Sequence, residues 1–256
     1  ELKFGLLADY ARSCGAEGLI TGHYASLETL PSGEVIVLPA ADAGKNQVYF
    51  LSLLRREQLA YARMPLASWQ KTEVREKARQ LGVANAAARE SQDACFTYPG
   101  EAFPASLGRY FCCAGDPGDI VDTAGRKLGR HRGLHLYTVG QRKGLDVAMG
   151  VPAYILRLDV ERNQVVLTTD PADLACRKIV VGDWNALTEL PETWSGLVQF
   201  RYRQMPQPCR VRRLDCGRAE IELERPLSRP AAGQVAALFI DRRLVAGAVI
   251  ESTEPF

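Results

Sequence analysis

Cys95, in Ser91-Gln-Asp-Ala-Cys95-Phe96, follows a polar turn, where an exposed thiol could act as a nucleophile or carry sulfur. Free cysteine is also among the most buried residue types, so a structural thiol fits the same residues. Thr21-Gly22-His23-Tyr24 stands where a parallel strand should end, the place where open α/β sheets bind ligands. Gly22 would let a ligand approach the backbone, and His23 could meet a phosphate or base or be a satisfied structural histidine. Lys45, Asn46 and Gln47 lie in a polar run from Asp42 into a helix, suited to phosphate and base contacts or simply to capping that helix. Between Gly125 and Lys143 there are six cations (Arg126, Lys127, Arg130, Arg132, Arg142, Lys143) and no acid, interleaved with His131, His135 and Tyr137. That composition suits a polyanion, with phosphates neutralised and rings stacking on bases, and equally a solvated charged face. In Phe200-Arg201-Tyr202-Arg203, a strand would put both arginines on one face and both aromatics on the other, a surface that small barrels use for nucleic acid or leave as exterior.

These residues need elements to hold them. Phe4, Leu7, Ala8, Ala11 and Cys14 recur at helical spacing up to Gly15, which predicts a helix with Cys14 on its buried face. Gly18–Gly22 reads as a short buried strand and Glu34–Leu38 as another. Tyr49–Ala62 reads as a helix, and Ser68–Gly82 as a second with Ser68 as N-cap. From Ala153 onward short β segments alternate with turns, and about six strands between Gly196 and Ser252 fit a small closed barrel.

The 256 residues are 46% hydrophobic and 24% charged, which excludes disorder, collagen and coiled coil. Lys+Arg 32 against Asp+Glu 30 leaves +2, so nucleic-acid contacts must come from local patches. No stretch approaches a membrane span, and the first residues do not resemble a signal peptide. Seven cysteines without regular spacing point to free thiols in a reducing cytoplasm, and no spacing marks a metal site. The sequence contains no SGGxDS loop, no GxxxxGK[ST] and no GxGxxG.

The motifs LKFG at 2–5, TGHYA at 21–25, the run from Asp42 to Leu51 and PL…K-x-E-VR from Pro65 to Arg75 occur in a familiar order. They are followed by SQDACF at 91–96, GDIVD at 118–122, GLHLYTVGQRKGL from Gly133 to Leu145, RYR at 201–203 and AGQ at 232–234. Together they resemble the tRNA-specific 2-thiouridylases. The resemblance implies a mixed α/β plus β fold: residues 1–98 as part of a Rossmann-like (adenine nucleotide alpha hydrolase-like) ATP-pyrophosphatase domain, 99–186 as a small central tRNA-binding domain and 187–256 as a C-terminal β-barrel. It implies ATP-dependent transfer of a persulfide sulfur to C2 of the wobble uridine of tRNA. ATP, with Mg2+, and a sulfur donor such as a cysteine desulfurase or relay protein take part. On the matching positions Cys95 carries the persulfide, Gly22 contacts ATP, and His23, Lys45, Asn46, Gln47, Arg201, Tyr202 and Gln234 contact tRNA. The family usually has Asp where Asn46 stands. Its phosphate loop and first catalytic cysteine precede the LKFG block, and Cys14 is no substitute. A truncated enzyme is therefore expected, with a tRNA-binding remnant or a persulfide carrier as alternatives.

Overall fold

A computed structural model describes residues 2–86 and 115–255. Two compact units arise from it. The first comprises residues 1–88, 178–225 and 232–253, the second 89–177, 226–231 and 254–256.

In the first unit a wide turn over Leu2–Leu7 runs into α1 (Ala8–Ser13). Phe4 and Ala8 are buried, as the spacing requires, and Gly15 takes φ +79° beyond the helix end. Cys14, expected on the buried face, is instead exposed: the helix stops at Ser13, and Cys14 lies past its last turn. β1 (Leu19–Ile20) is parallel to β4 (Ala62–Arg63), with Leu19 opposite Ala62. Only Leu19 joins the core of this predicted buried strand; Ile20 is exposed. β2 (Ala25–Thr29) and β3 (Val35–Pro39) form an antiparallel hairpin turning at Gly33, φ +84°.

The helix predicted over Tyr49–Ala62 breaks in two. A 3-10 turn covers Val48–Leu51, and α2 (Arg56–Tyr61) follows before β4. The break lets Val48, Leu51, Leu54 and Leu59 all reach one core, which an unbroken helix could not arrange, and leaves Phe50 and Leu53 outside. Full burial of Leu51 and Leu59 stabilises by about 2 kcal/mol each. α3 (Lys71–Gln80) is capped by Gln70 rather than Ser68: Gln70 N–H donates to Glu73 Oε2 at 2.7 Å, and Lys71 N–H to Asp42 Oδ2 at 2.9 Å. Gly82 closes the helix at φ +67°, as its position suggested.

In the second unit β5 (Gly118–Asp122), β6 (Lys127–His131), β7 (Tyr154–Asp159) and β8 (Gln164–Thr168) make a sheet ordered β6-β5-β8-β7. β5 and β8 are parallel, the other pairs antiparallel. Ile120, Ile155, Val165, Leu167, Tyr137 and Leu145 fill its core.

The C-terminal strands are β9 (Ala175–Ala186), β10 (Thr193–Gln199), β11 (Gln207–Arg213), β12 (Ala219–Ser228), β13 (Val235–Ile240) and β14 (Arg243–Pro255). Their order, β10-β11-β12-β9-β14-β13 and back to β10, closes a six-stranded barrel. Alternation along β11 shows why it closes: Cys209 and Val211 point in, Arg210 and Arg212 out. Closure leaves no free edge among these six strands. β3 abuts β14, Val37 opposite Leu244, so the β2–β3 hairpin and the barrel share one core through Val37, Leu51, Ala237, Phe239 and Leu244. The fold is thus mixed α/β with few helices, plus the barrel.

Candidate nucleic-acid interface

Gly22 and His23 follow the C-terminal end of β1, where Thr21 N–H donates to Arg63 O at 2.9 Å. A Cβ on Gly22 would meet only Leu66 Cδ1, at 3.9 Å, so the backbone there is open to a ligand. His23 Nδ1 lies 3.0 Å from Thr21 Oγ1 and its ring 5.6 Å from Phe4. Burial, helped by the nearby Lys3 charge, pushes His23 below its ordinary pKa and favours the neutral imidazole. Lys3, Leu19, Thr21, Gly22, His23 and Gln47 line an open cavity of about 430 Å3.

Gln47 ties this strand end to the Lys45–Gln47 segment. Its side-chain oxygen accepts from Tyr24 N–H at 2.9 Å, and its own N–H donates to Tyr24 O at 2.9 Å. The segment starts as a capped 3-10 turn, Asp42 accepting from Gly44 N–H at 3.0 Å. Asn46 Oδ1 accepts from Val48 N–H at 3.2 Å. The capping reading of this run holds: the oxygens of Asp42, Asn46 and Gln47 are spent on backbone. Among the described residues no hydrogen bond engages Asn46 Nδ2 or Gln47 Nε2.

Tyr49, which the sequence placed in a helix without a role, joins this segment to the barrel. Its hydroxyl lies 2.9 Å from Phe200 O and 3.2 Å from Val235 O and shares one proton between them. Burial raises its pKa, so the phenol stays protonated as a donor. No signal in a single sequence predicts a contact across 151 residues.

The Phe200–Arg203 run is not a strand. β10 stops at Gln199 and Arg203 sits at φ +66°, so the predicted two-faced arginine and aromatic surface does not form. The chain turns because Phe200, 1% exposed, is pinned in the core. Gln199 Nε2 donates to Arg201 O at 2.8 Å, and Phe200 N–H donates to Gln204 Oε1 at 3.1 Å. The turn presents Tyr202, whose ring lies 4.8 Å from that of Phe50, beside a second cavity of about 430 Å3 that also involves Asn46, Tyr49 and Arg203. Gln234 immediately precedes the Val235 carbonyl that Tyr49 contacts, and its Oε1 is buried without a hydrogen-bond partner among the described residues.

The structure thus brings Asn46, Tyr49 and Tyr202 to one cavity, with the backbone next to Arg201 and Gln234 bonded to Tyr49, and places Gln47 with Gly22 and His23 around the other. Cys95 lies outside the described residues. The basic run of the second unit is different. His131 is 1% exposed, with Gly133 N–H donating to its Nδ1 at 3.1 Å and its Nε2 at 3.0 Å from Asn163 O. Tyr137 packs in the same core. Those two rings are not available to stack on a base, because the sheet's apolar core takes them, whereas His135 and the six cations of the run are exposed. The glycine-open backbone at Gly22 fits a nucleotide contact, whereas no cradle for its phosphates occurs among the described residues. Nor is there among them any group of three or more His, Cys, Asp or Glu able to hold a metal ion.

Three family models match the chain: a tRNA methyl transferase HUP domain over residues 1–99, a tRNA methyl transferase PRC-barrel domain over 107–169 and an aminomethyltransferase beta-barrel domain over 176–250. Relatives named tRNA-specific 2-thiouridylase MnmA match along the whole length. That of Nitratidesulfovibrio vulgaris is 40% identical over 97% of this chain and 71% of its own. That of Akkermansia muciniphila is 38% identical over 100% and 72%, and that of Moorella thermoacetica 38% over 98% and 71%. With three domain models in family order and such identity across nearly every residue, the chain belongs to the tRNA-specific 2-thiouridylase (MnmA) family.

Proposed function

We propose that this chain serves cytoplasmic tRNA 2-thiolation, the replacement of the C2 oxygen of the wobble uridine by sulfur. Bound ATP, with Mg2+ on its phosphates, supplies the activation that makes that oxygen a leaving group. Gly22 holds the nucleotide by its backbone. His23, Lys45, Asn46, Gln47, Arg201, Tyr202 and Gln234 hold the tRNA. Cys95 receives sulfur as a persulfide from a cysteine desulfurase or relay protein; its terminal sulfur bonds to C2 as the activated oxygen leaves with the adenylate, and a second thiol then attacks Cys95 Sγ, breaking the S–S bond and leaving a disulfide that a thiol reductant reopens. The proposed division of labour is residues 1–98 for the nucleotide, 99–186 and 187–256 for the tRNA. One observation carries the reading: the Tyr49 hydroxyl bonds Phe200 O and Val235 O, and Asn46, Tyr49 and Tyr202, distant in sequence, line one cavity.

The test is tRNA binding by the chain, titrated against salt. Affinity should fall steeply with salt, since each neutralised phosphate contributes roughly 0.9 to the log–log slope. No binding at low salt would overturn the assignment. In the active full-length enzyme Cys95→Ala should abolish thiolation while leaving that binding intact.

A further inference from the structure

Tyr202 stands between two planar groups: the Phe50 ring, tilted by 43° at 4.8 Å between centroids, and the Arg203 guanidinium, over its face at 5.3 Å from the centroid. Phe50 is buttressed in turn by Tyr49 at 5.5 Å, edge-on. Arg203 is exposed. Its backbone holds φ +66°, a left-handed conformation that costs a non-glycine residue of order 1 kcal/mol. The Gln199 and Gln204 side-chain bonds and Gln204 N–H to Arg201 O at 3.1 Å hold it there. A left-handed turn, held by hydrogen bonds, that ends in a guanidinium over the face of an aromatic ring is preorganised to bind a second planar group. Across the cavity stands the β13–β14 turn with Asp241, at φ +54°, and Arg242. A carboxylate in an otherwise cationic groove opposes phosphate and accepts from N–H groups on the edge of a base.

Resting on the RNA reading above, we propose that this groove takes a single unpaired nucleobase. The base stacks on the Tyr202–Arg203 platform, and its N–H edge faces Asp241. Arg203 thereby acts as a stacking residue rather than a phosphate contact. Guanine, with two adjacent N–H donors matching the two carboxylate oxygens, is the preferred occupant.

The experiment compares tRNA binding by the wild-type chain, Arg203→Lys and Arg203→Ala across a salt series. Short single-stranded oligonucleotides of each base are tested in parallel on wild type and Asp241→Asn. Lys keeps the charge and the backbone demand but loses the planar face, so affinity should fall about tenfold with the salt slope unchanged. Ala should lose the same stacking and leave the slope nearly unchanged, since no phosphate contact goes with it. Wild type should bind oligo-G most tightly, and Asp241→Asn should flatten that order. If wild type binds with a steep salt slope and Arg203→Lys binds equally well, Arg203 is a phosphate contact and the stacking proposal falls while the RNA reading stands. An order of bases unchanged by Asp241→Asn overturns the edge assignment. Absence of salt-dependent binding by wild type overturns the RNA reading and this inference together. Unfolding midpoints of each variant, expected within a degree or two of wild type at this exposed turn, separate lost binding from lost folding.

Discussion

Two stretches of this chain share a composition and place their rings differently. In the second unit, Gly125–Lys143 mixes cations, histidines and a tyrosine, yet the rings of His131 and Tyr137 are core, Arg126 pairs with Asp122 at 3.1 Å and Lys127 with Asp119 at 2.7 Å. In the first unit, Arg201–Arg203 and Lys45–Gln47 leave Tyr202 half-buried beside a cavity and Phe50 exposed at 53%. Basic residues interleaved with aromatics indicate a polyanion surface only when the core has not claimed the rings. The core claims them where strand alternation points them inward; a turn such as Phe200–Gln204 leaves one outside.

The largest expected effect tests whether the first unit is one cooperative body. Gly247 packs on Ser52, its missing Cβ falling on the Ser52 carbonyl, while Asn185 Nδ2 donates to Ser52 O and Leu54 O at 2.9 Å each. Gly247→Ala must push backbone from backbone and should cost about 3 kcal/mol. In urea melts the barrel and the N-terminal segment should then unfold together at lower denaturant. A barrel that keeps its midpoint would show the two parts to be independent.

The next effect breaks or keeps the structural role of His131. Replacing it by Leu leaves Gly133 N–H and Asn163 O without their partner and should destabilise the second unit by about 3 kcal/mol. Should His131→Leu instead leave stability intact and weaken tRNA binding, the contrast between the two regions would be wrong.

Much of this was legible beforehand. The barrel strands followed from alternation and turn residues, as β11 and β12 show, because a half-buried strand writes its period directly into the sequence. The end of α3 followed from Gly82, since only a left-handed cap suits that spot. The helix over Tyr49–Ala62 misled because its apolar residues serve several directions of one core, and periodicity cannot see a change of direction. The site residues were reached by resemblance. Tyr49 was missed because its value lies in two carbonyls 151 and 186 residues away. Asp42 looked like part of a ligand-binding run, but its carboxylate also caps α3, a tertiary fact no local pattern contains.

A smaller effect sets the charges of the two regions against each other. Arg201 is exposed, and Arg201→Ala should lower the salt slope of tRNA binding by about 1. Arg126 is held by Asp122, whose carboxyl is kept below its usual range chiefly by the Arg126 N–H bond and then by the guanidinium charge. Arg126→Ala should therefore change the slope by less than half as much. Equal losses in the two variants would mean that the second unit binds phosphate as strongly as the first.

The smallest effect concerns His23, and its sign differs between folding and binding. Burial and Lys3 hold its folded pKa below the ordinary 6.5. Between those two values the unfolded chain binds more protons than the folded one, so this contribution to stability is full above pH 6.5 and is lost as pH falls toward the folded value. A polyanion beside the ring acts the other way: phosphate favours the imidazolium, so bound tRNA raises the pKa that burial lowered. Lowering the pH from 7.5 to 5.5 should then weaken the fold slightly while tightening tRNA about threefold, well inside the tenfold limit of a one-unit shift. His23→Asn should remove both trends. A binding profile that stays pH-dependent in His23→Asn would move the titrating group, and with it the tRNA contact, away from the end of β1.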